Sequence, residues 1–264
     1  MQSNNVFSFQ RFLLLGKQSL IINKKMIGIG LIGFAGVMFI LLMYIHSRSR
    51  LSTWEIKNYN IIFHFLFVIT GIIFSSLSFP SFRSKEKSMD YILLPSSISE
   101  KFVFEFMSRI VVFIILMPLL FWVVANLEGA LMHTYYPEFV NYKFSFREAY
   151  NRNSYGGLNE CWTNFLIIQT VLFVFIFSFV GASHFSKSPL QKTLFTFSIL
   201  AAGYGLLFYL LGKVLELKEF EESKSGMFFF QDKNDALILG GIFVIVINIS
   251  LLAIAFFRLK EKEV

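Results

Sequence analysis

Long, nearly charge-free stretches alternate along this chain with short polar ones. Six apolar runs stand out, at 26–45, 60–80, 102–126, 162–183, 193–212 and 236–257. Each is continuous, unlike the ~10-residue alternating strands of a membrane barrel. A helix rises ~1.5 Å per residue, so ~20 apolar residues cross the ~30 Å hydrocarbon layer. The pattern therefore predicts an all-α polytopic membrane protein with six transmembrane helices, its spanning domain covering 26–257.

Before the first run, 1–25 places Phe9, Phe12, Leu13, Gly16, Leu20 and Ile21 on one helical face, with Arg11, Gln18 and Lys25 away from it. That predicts an N-terminal amphipathic helix lying in the membrane interface. The first run ends in "YIHSRSR" without a small-residue cleavage site, so it is expected to remain as a span. At the other end, 258–264 reads as a short cytoplasmic tail.

Orientation follows from the basic residues. With the N-terminus inside, the segments on that side hold 13 Lys+Arg against 10 outside. This bias favours both termini in the cytoplasm of a cell inner (plasma) membrane protein. In a chain of this class the net charge of +7 reflects the same rule, and no nucleic-acid partner is expected. Two outside segments, 127–161 and 213–235, are long enough to hold structure of their own. The second has an acidic half and then the aromatic run at 227–230, which suits a return to the membrane surface.

Motifs for chemistry are missing. Gly28-Ile29-Gly30-Leu31-Ile32-Gly33 fits a dinucleotide fingerprint, but that motif needs a preceding strand and a phosphate-facing helix start. Inside a span, Gly30, Gly33 and Gly36 read as a surface for close helix packing. There is no phosphate-binding loop, no metalloprotease motif and no nucleophile elbow, so the chain is not expected to be an enzyme or to hold a metal or cofactor. The single cysteine, Cys161, reads as a packed thiol. Asn164, Gln169 and Asn248 read as interhelical hydrogen-bonding positions. Ser188-Pro189 with Gln191 reads as the capped start of the fifth span.

Only Glu105 and Arg109 ionise strongly within a run, and their four-residue spacing lets them pair on one helix face. A helix from Ile98 to about Asn126 is ~43 Å long, which puts this pair at the interface rather than at mid-membrane, as an anchor. Pro118 predicts a kink farther along.

The segment between the second and third runs carries the most information. Ser84–Leu94 can make about three helical turns, with Met89, Ile92 and Leu93 on an apolar face and Lys85, Glu86, Lys87 and Asp90 supplying both signs of charge. Pro95 ends the element. Ser97-Ile98-Ser99-Glu100 is a capping box that starts the third span. "SKEKSMDYILLPSSISEKF", with Leu93-Leu94-Pro95 followed by Glu100-Lys101-Phe102, resembles the cytoplasmic segment of permeases of the type-two ATP-binding-cassette exporter family. The resemblance implies a six-span permease with a coupling helix between spans two and three. It also implies a separate ATPase subunit that holds ATP and magnesium, and a second permease chain. On that reading Lys85, Glu86, Met89, Asp90, Ile92 and Leu93 contact the ATPase, while Pro95, Ser97, Glu100, Glu105 and Arg109 brace the helix. The cargo cannot be read, although 35 phenylalanines suit a hydrophobic one. A non-transporting membrane scaffold is the alternative from another class.

Overall fold

The computed structural model describes residues 7–48, 56–83, 89, 91, 96–135, 143–146, 160–214 and 233–263. Among them the chain is helical with no strand. Six long helices are α1 (Phe9–Arg48), α2 (Ile56–Ser76), α3 (Ile98–Tyr135), α4 (Glu160–His184), α5 (Pro189–Val214) and α6 (Lys233–Glu263). Five of them, α1 to α4 and α6, contain stretches long and apolar enough to cross a membrane, as in a multi-pass membrane protein. The fifth run, 193–212, also lies in a helix, α5.

Two compact units divide the chain: Met1–Phe74 with Pro95–Asn153, and Ser75–Leu94 with Ser154–Val264. In the first, α1 and α3 run parallel. Gly16 lies beside Phe104 near their starts, and His46 meets Glu128 near their ends. Helix α2 runs antiparallel to α3 through ring contacts of Phe63 with Phe121 and of Phe67 and Phe74 with Phe113. In the second unit α4 and α6 are parallel. Gly240 and Gly241 approach Leu166 and Phe165, and Asn248 Nδ2 lies 3.4 Å from Gln169 Oε1. The expected interhelical role of Gln169 and Asn248 is thus met.

Several element boundaries differ from those expected. The interfacial helix and the first span are one uninterrupted helix of 40 residues, about 60 Å long. No glycine pair or proline interrupts the turns around Lys25 and Met26, so the change from amphipathic to apolar composition does not break the backbone. Helix α3 reaches Tyr135 rather than about Asn126, because Leu127, Ala130 and Leu131 keep its outer face apolar and helix-favouring. The segment expected to follow it is shorter to that extent. Helix α2 ends at Ser76, before the end of the 60–80 run. The chain then turns through Phe79, which has φ 54°, into a 3₁₀ turn at Pro80–Arg83. The expected tail at 258–264 is helical to Glu263. Cys161 is exposed rather than packed, being at the first turn of α4. Helix α3 continues through Pro118 and contains a π segment, Met107–Val111, nearer its start. The acidic half of 213–235 and its aromatic run lie outside the described residues.

One small-residue reading is corrected, and the reading of Ser188-Pro189 as a helix start holds in position, with α5 beginning at Pro189, but not in backbone geometry. Among the described residues, a Cβ placed on Gly30, Gly33 or Gly36 meets nothing within 4 Å, so these glycines bring no described helix of this chain close. The buried face of α1 lies farther along, at Met38, Leu42 and His46. Ser188 precedes α5 and its carbonyl accepts the Lys192 N–H. It does so at φ 51°, in the left-handed region, not in the extended conformation of a side-chain cap. The close approach occurs elsewhere, at Gly181 of α4. There an added Cβ would lie 1.9 Å from Thr193 Oγ1 and 2.8 Å from Thr193 Cβ. Thr193 is buried and donates to the Pro189 carbonyl, so it cannot swing aside without losing that bond.

Gly181→Ala is therefore expected to destabilise the chain by ~1–3 kcal/mol, the usual cost of overpacking. In a detergent thermal-unfolding assay Gly181→Ala should lower Tm by several degrees, Gly30→Ala should not, and Thr193→Gly should restore the first variant. Equal tolerance of Gly181→Ala and Gly30→Ala would contradict the α4–α5 contact.

Candidate functional site

Most of the expected coupling segment, including Lys85, Glu86, Asp90, Ile92, Leu93 and Pro95, lies outside the described residues. Met89 and Tyr91 are described as helical. Met89, expected on the apolar docking face, is 65% exposed. The chain on either side of the segment is described, and each flank is fixed by buried side chains within its own unit.

Downstream, the capping box is present as the sequence predicts. Ser97 is extended (φ −70°, ψ 156°), its Oγ accepts the Glu100 N–H, and Glu100 Oε2 accepts the Ser97 N–H at 3.0 Å. The other carboxylate oxygen does something the sequence did not reveal. Glu100 Oε1 accepts the Ser8 N–H at 2.6 Å and lies 2.9 Å from Arg11 Nη2. Glu100 has no solvent exposure, and a buried carboxylate is costly unless its oxygens are filled with donors. Here the donors come from the start of α1 as well as from the third span's own cap. An edge contact of Phe12 with Phe104 adds apolar packing along the same seam. Glu105 and Arg109 do face each other, at 3.8 Å, longer than a hydrogen bond. Arg109 also sits 5.4 Å from the Phe74 ring, a cation–π distance. Its position in the π segment is of interest, since such insertions recur at functional sites.

Upstream, in the other unit, Phe79 is buried against Phe179 with ring centres 4.9 Å apart. Phe82 meets Tyr91 edge-on at 5.3 Å, and the Lys262 ammonium lies 4.9 Å from the Phe82 ring. The same ammonium donates to the Ser183 carbonyl at 2.6 Å, in the last turn of α4, where carbonyls lack helical partners and the helix dipole favours a cation. Arg83 donates back to the Ser76 carbonyl. Lys262 is thus a structural residue that a reading as tail had overlooked.

A third cluster went unread because the apolar run stops at 126. Glu128 has no exposure. Its Oε2 accepts the Tyr59 hydroxyl at 2.6 Å, and its Oε1 lies 2.8 Å from His46 Nδ1. One carboxylate therefore joins α1, α2 and α3. Phe144 packs over Tyr59 and Phe121, and its carbonyl accepts from Asn126. The signal available in the sequence was the spacing of Ala125, Glu128, Gly129 and Met132, all buried on one helical stripe. His64, the histidine of α2, bonds the Asn60 carbonyl of its own helix.

Among the described residues no group of three His, Cys, Asp or Glu side chains is placed to hold a metal ion. The chemistry of the clusters is that of holding: each carboxylate collects N–H or O–H donors from separate segments. No protein-family model, curated protein or solved structure matches the chain.

Removing the acceptor of a buried cluster strands its donors, which typically costs ~3–5 kcal/mol. Glu128→Ala is accordingly expected to lower Tm strongly, and Glu128→Gln, which keeps one acceptor oxygen, to lower it less. Tyr59→Phe should fall between Gln and wild type, since it removes only one donor. Thermal unfolding of the three variants in one detergent checks the order, and a neutral Glu128→Ala would contradict the cluster.

Proposed function

We propose that this chain is the membrane-spanning permease subunit of an ATP-binding-cassette exporter. In this reading all six long helices cross a plasma (inner) membrane with both termini in the cytoplasm. Residues 84–94 form a coupling helix that takes up force from a separate ATPase, where ATP and magnesium bind. A second permease chain completes the transporter. The observation that carries the reading is the fixing of both flanks of this segment. Phe79, Phe82 and Lys262 hold the chain before it, and Ser97, Glu100 and Arg11 hold the chain after it. A segment that transmits force must be attached firmly at both ends, whereas a loop resting on lipid needs no such anchors. The exposure of Met89 leaves an apolar side chain available to a partner.

Truncating a Leu or Met that packs into a partner costs ~2–5 kcal/mol, while single exposed charge pairs contribute only ~0–1 kcal/mol. Met89→Ala with Leu93→Ala should therefore leave the chain in the membrane and release or uncouple the ATPase that co-purifies with it. Lys85→Gln alone should do little. Ser97→Pro, which removes the N–H held by Glu100, should uncouple without necessarily releasing. Co-purification and ATP hydrolysis are measured on the same preparations, and the chain alone should hydrolyse no ATP. A double variant that binds and stimulates an ATPase like wild type, or the absence of any ATPase from gently solubilised membranes, would favour the scaffold.

A further inference from the structure

The start of α1 carries a second surface that neither the anchoring contacts nor the proposed transport role uses. The sequence has no acidic residue before Glu55. Of the basic residues in this part of α1, Arg11 is taken by Glu100. Lys17, Lys24 and Lys25 are exposed. Phe12 and Gly16 face Phe104; at 100° per residue Lys17 and Lys24 fall together on the flank of the helix, roughly 100–120° from that docked face, and Lys25 lies nearly opposite it, roughly 160° away. Around them Leu13, Leu14, Leu20 and Ile21 are also more than half exposed. Lys24 and Lys25 border the apolar run at 26–45, and Lys17 follows about 10 Å farther along the same face. A headgroup layer adds about 5–7 Å on each side of the hydrocarbon. With 26–45 taken as the span, Lys24 and Lys25 fall at the hydrocarbon edge, beside the lipid phosphates, and Lys17 falls just past the headgroup layer, from which its long side chain can reach back.

We infer that Lys17, Lys24 and Lys25 form a binding face for the headgroups of anionic phospholipids in the bilayer around the protein. Exposed leucine and isoleucine interleaved with lysine fit a lipid surface, where acyl chains and phosphates are offered together. They do not fit an acidic protein surface, which would offer only the charge. This apolar surface is also continuous along the helix with that of Met26, Ile29 and Ile32. Because a separate face of the same helix is docked on α3, the lysines are held in place rather than presented by a loose tail. The inference rests on the membrane reading alone and stands or falls independently of transport.

The test uses the full-length detergent-solubilised protein, native mass spectrometry, and phosphatidylglycerol or phosphatidylcholine added at equal concentration. A lysine at an anionic surface contributes about fivefold in affinity. Wild type should retain phosphatidylglycerol over phosphatidylcholine, and the triple variant Lys17→Gln, Lys24→Gln, Lys25→Gln should reduce that preference by at least about tenfold. A control, Lys187→Gln, Lys192→Gln, Lys260→Gln, removes the same charge elsewhere and should keep the preference. Unchanged Tm in the first variant verifies folding. If it does not fold, salt titration of wild type decides, because counterion screening must erode a headgroup contact. No preference in wild type, a preference insensitive to salt, or equal loss in both triple variants would overturn the inference.

Discussion

A carboxylate cut off from water must draw its hydrogen-bond donors from the protein, and that requirement organises the described part of this chain. Glu100 and Glu128 are both fully buried. Each is satisfied by partners distant in sequence: Ser8 and Arg11 for Glu100, His46 and Tyr59 for Glu128. Lipid-facing helices gain little from hydrophobic association, since acyl chains are as apolar as leucine. Directional polar contacts therefore fix which helices meet and at what height. The two carboxylates lie near opposite ends of α3 and fix α1 alongside it at both. In the other unit the same part is played by close packing at Gly181 and by the Lys262 ammonium on the end of α4.

This division of labour explains what was legible in the sequence. The apolar runs were legible because length and hydropathy alone set them, and each falls in a helix. So was the Ser97–Glu100 box, a local motif whose partners are three residues apart. The second use of Glu100 was hidden, since nothing in a local pattern says that a side chain caps two segments at once. Glu128 was hidden for a related reason: a single acid after an apolar run looks like the start of a loop, and only tertiary donors make its burial tolerable. The glycines failed in the opposite direction. Gly30, Gly33 and Gly36 have the spacing of a packing surface and no neighbour within 4 Å of an added Cβ among the described residues, whereas the close approach at Gly181 depends on Thr193 across a turn. Ser188 shows that the right cap residue can occupy the right position in a different backbone state.

The function proposed above rests on attachment more than on chemistry. None of the described clusters presents a nucleophile with its base; they tie segments together. Among the segments so attached is the chain on each side of 84–94, through Phe79 and Phe82 before it and Ser97 and Glu100 after it. A permease that takes its energy from another subunit needs such fixed ends and no catalytic group of its own, and the exposed Met89 lies between them.

Whether a protein partner covers Met89 tests this account most directly. A fluorophore on Met89→Cys, in a Cys161→Ser background reconstituted in nanodiscs, reports its surroundings through an aqueous and a lipid-borne quencher. The account predicts quenching from water in the chain alone, protection from both quenchers when the ATPase is added, and a further change on ATP binding. A label that is shielded by lipid from the outset, and indifferent to the ATPase and to nucleotide, would contradict it.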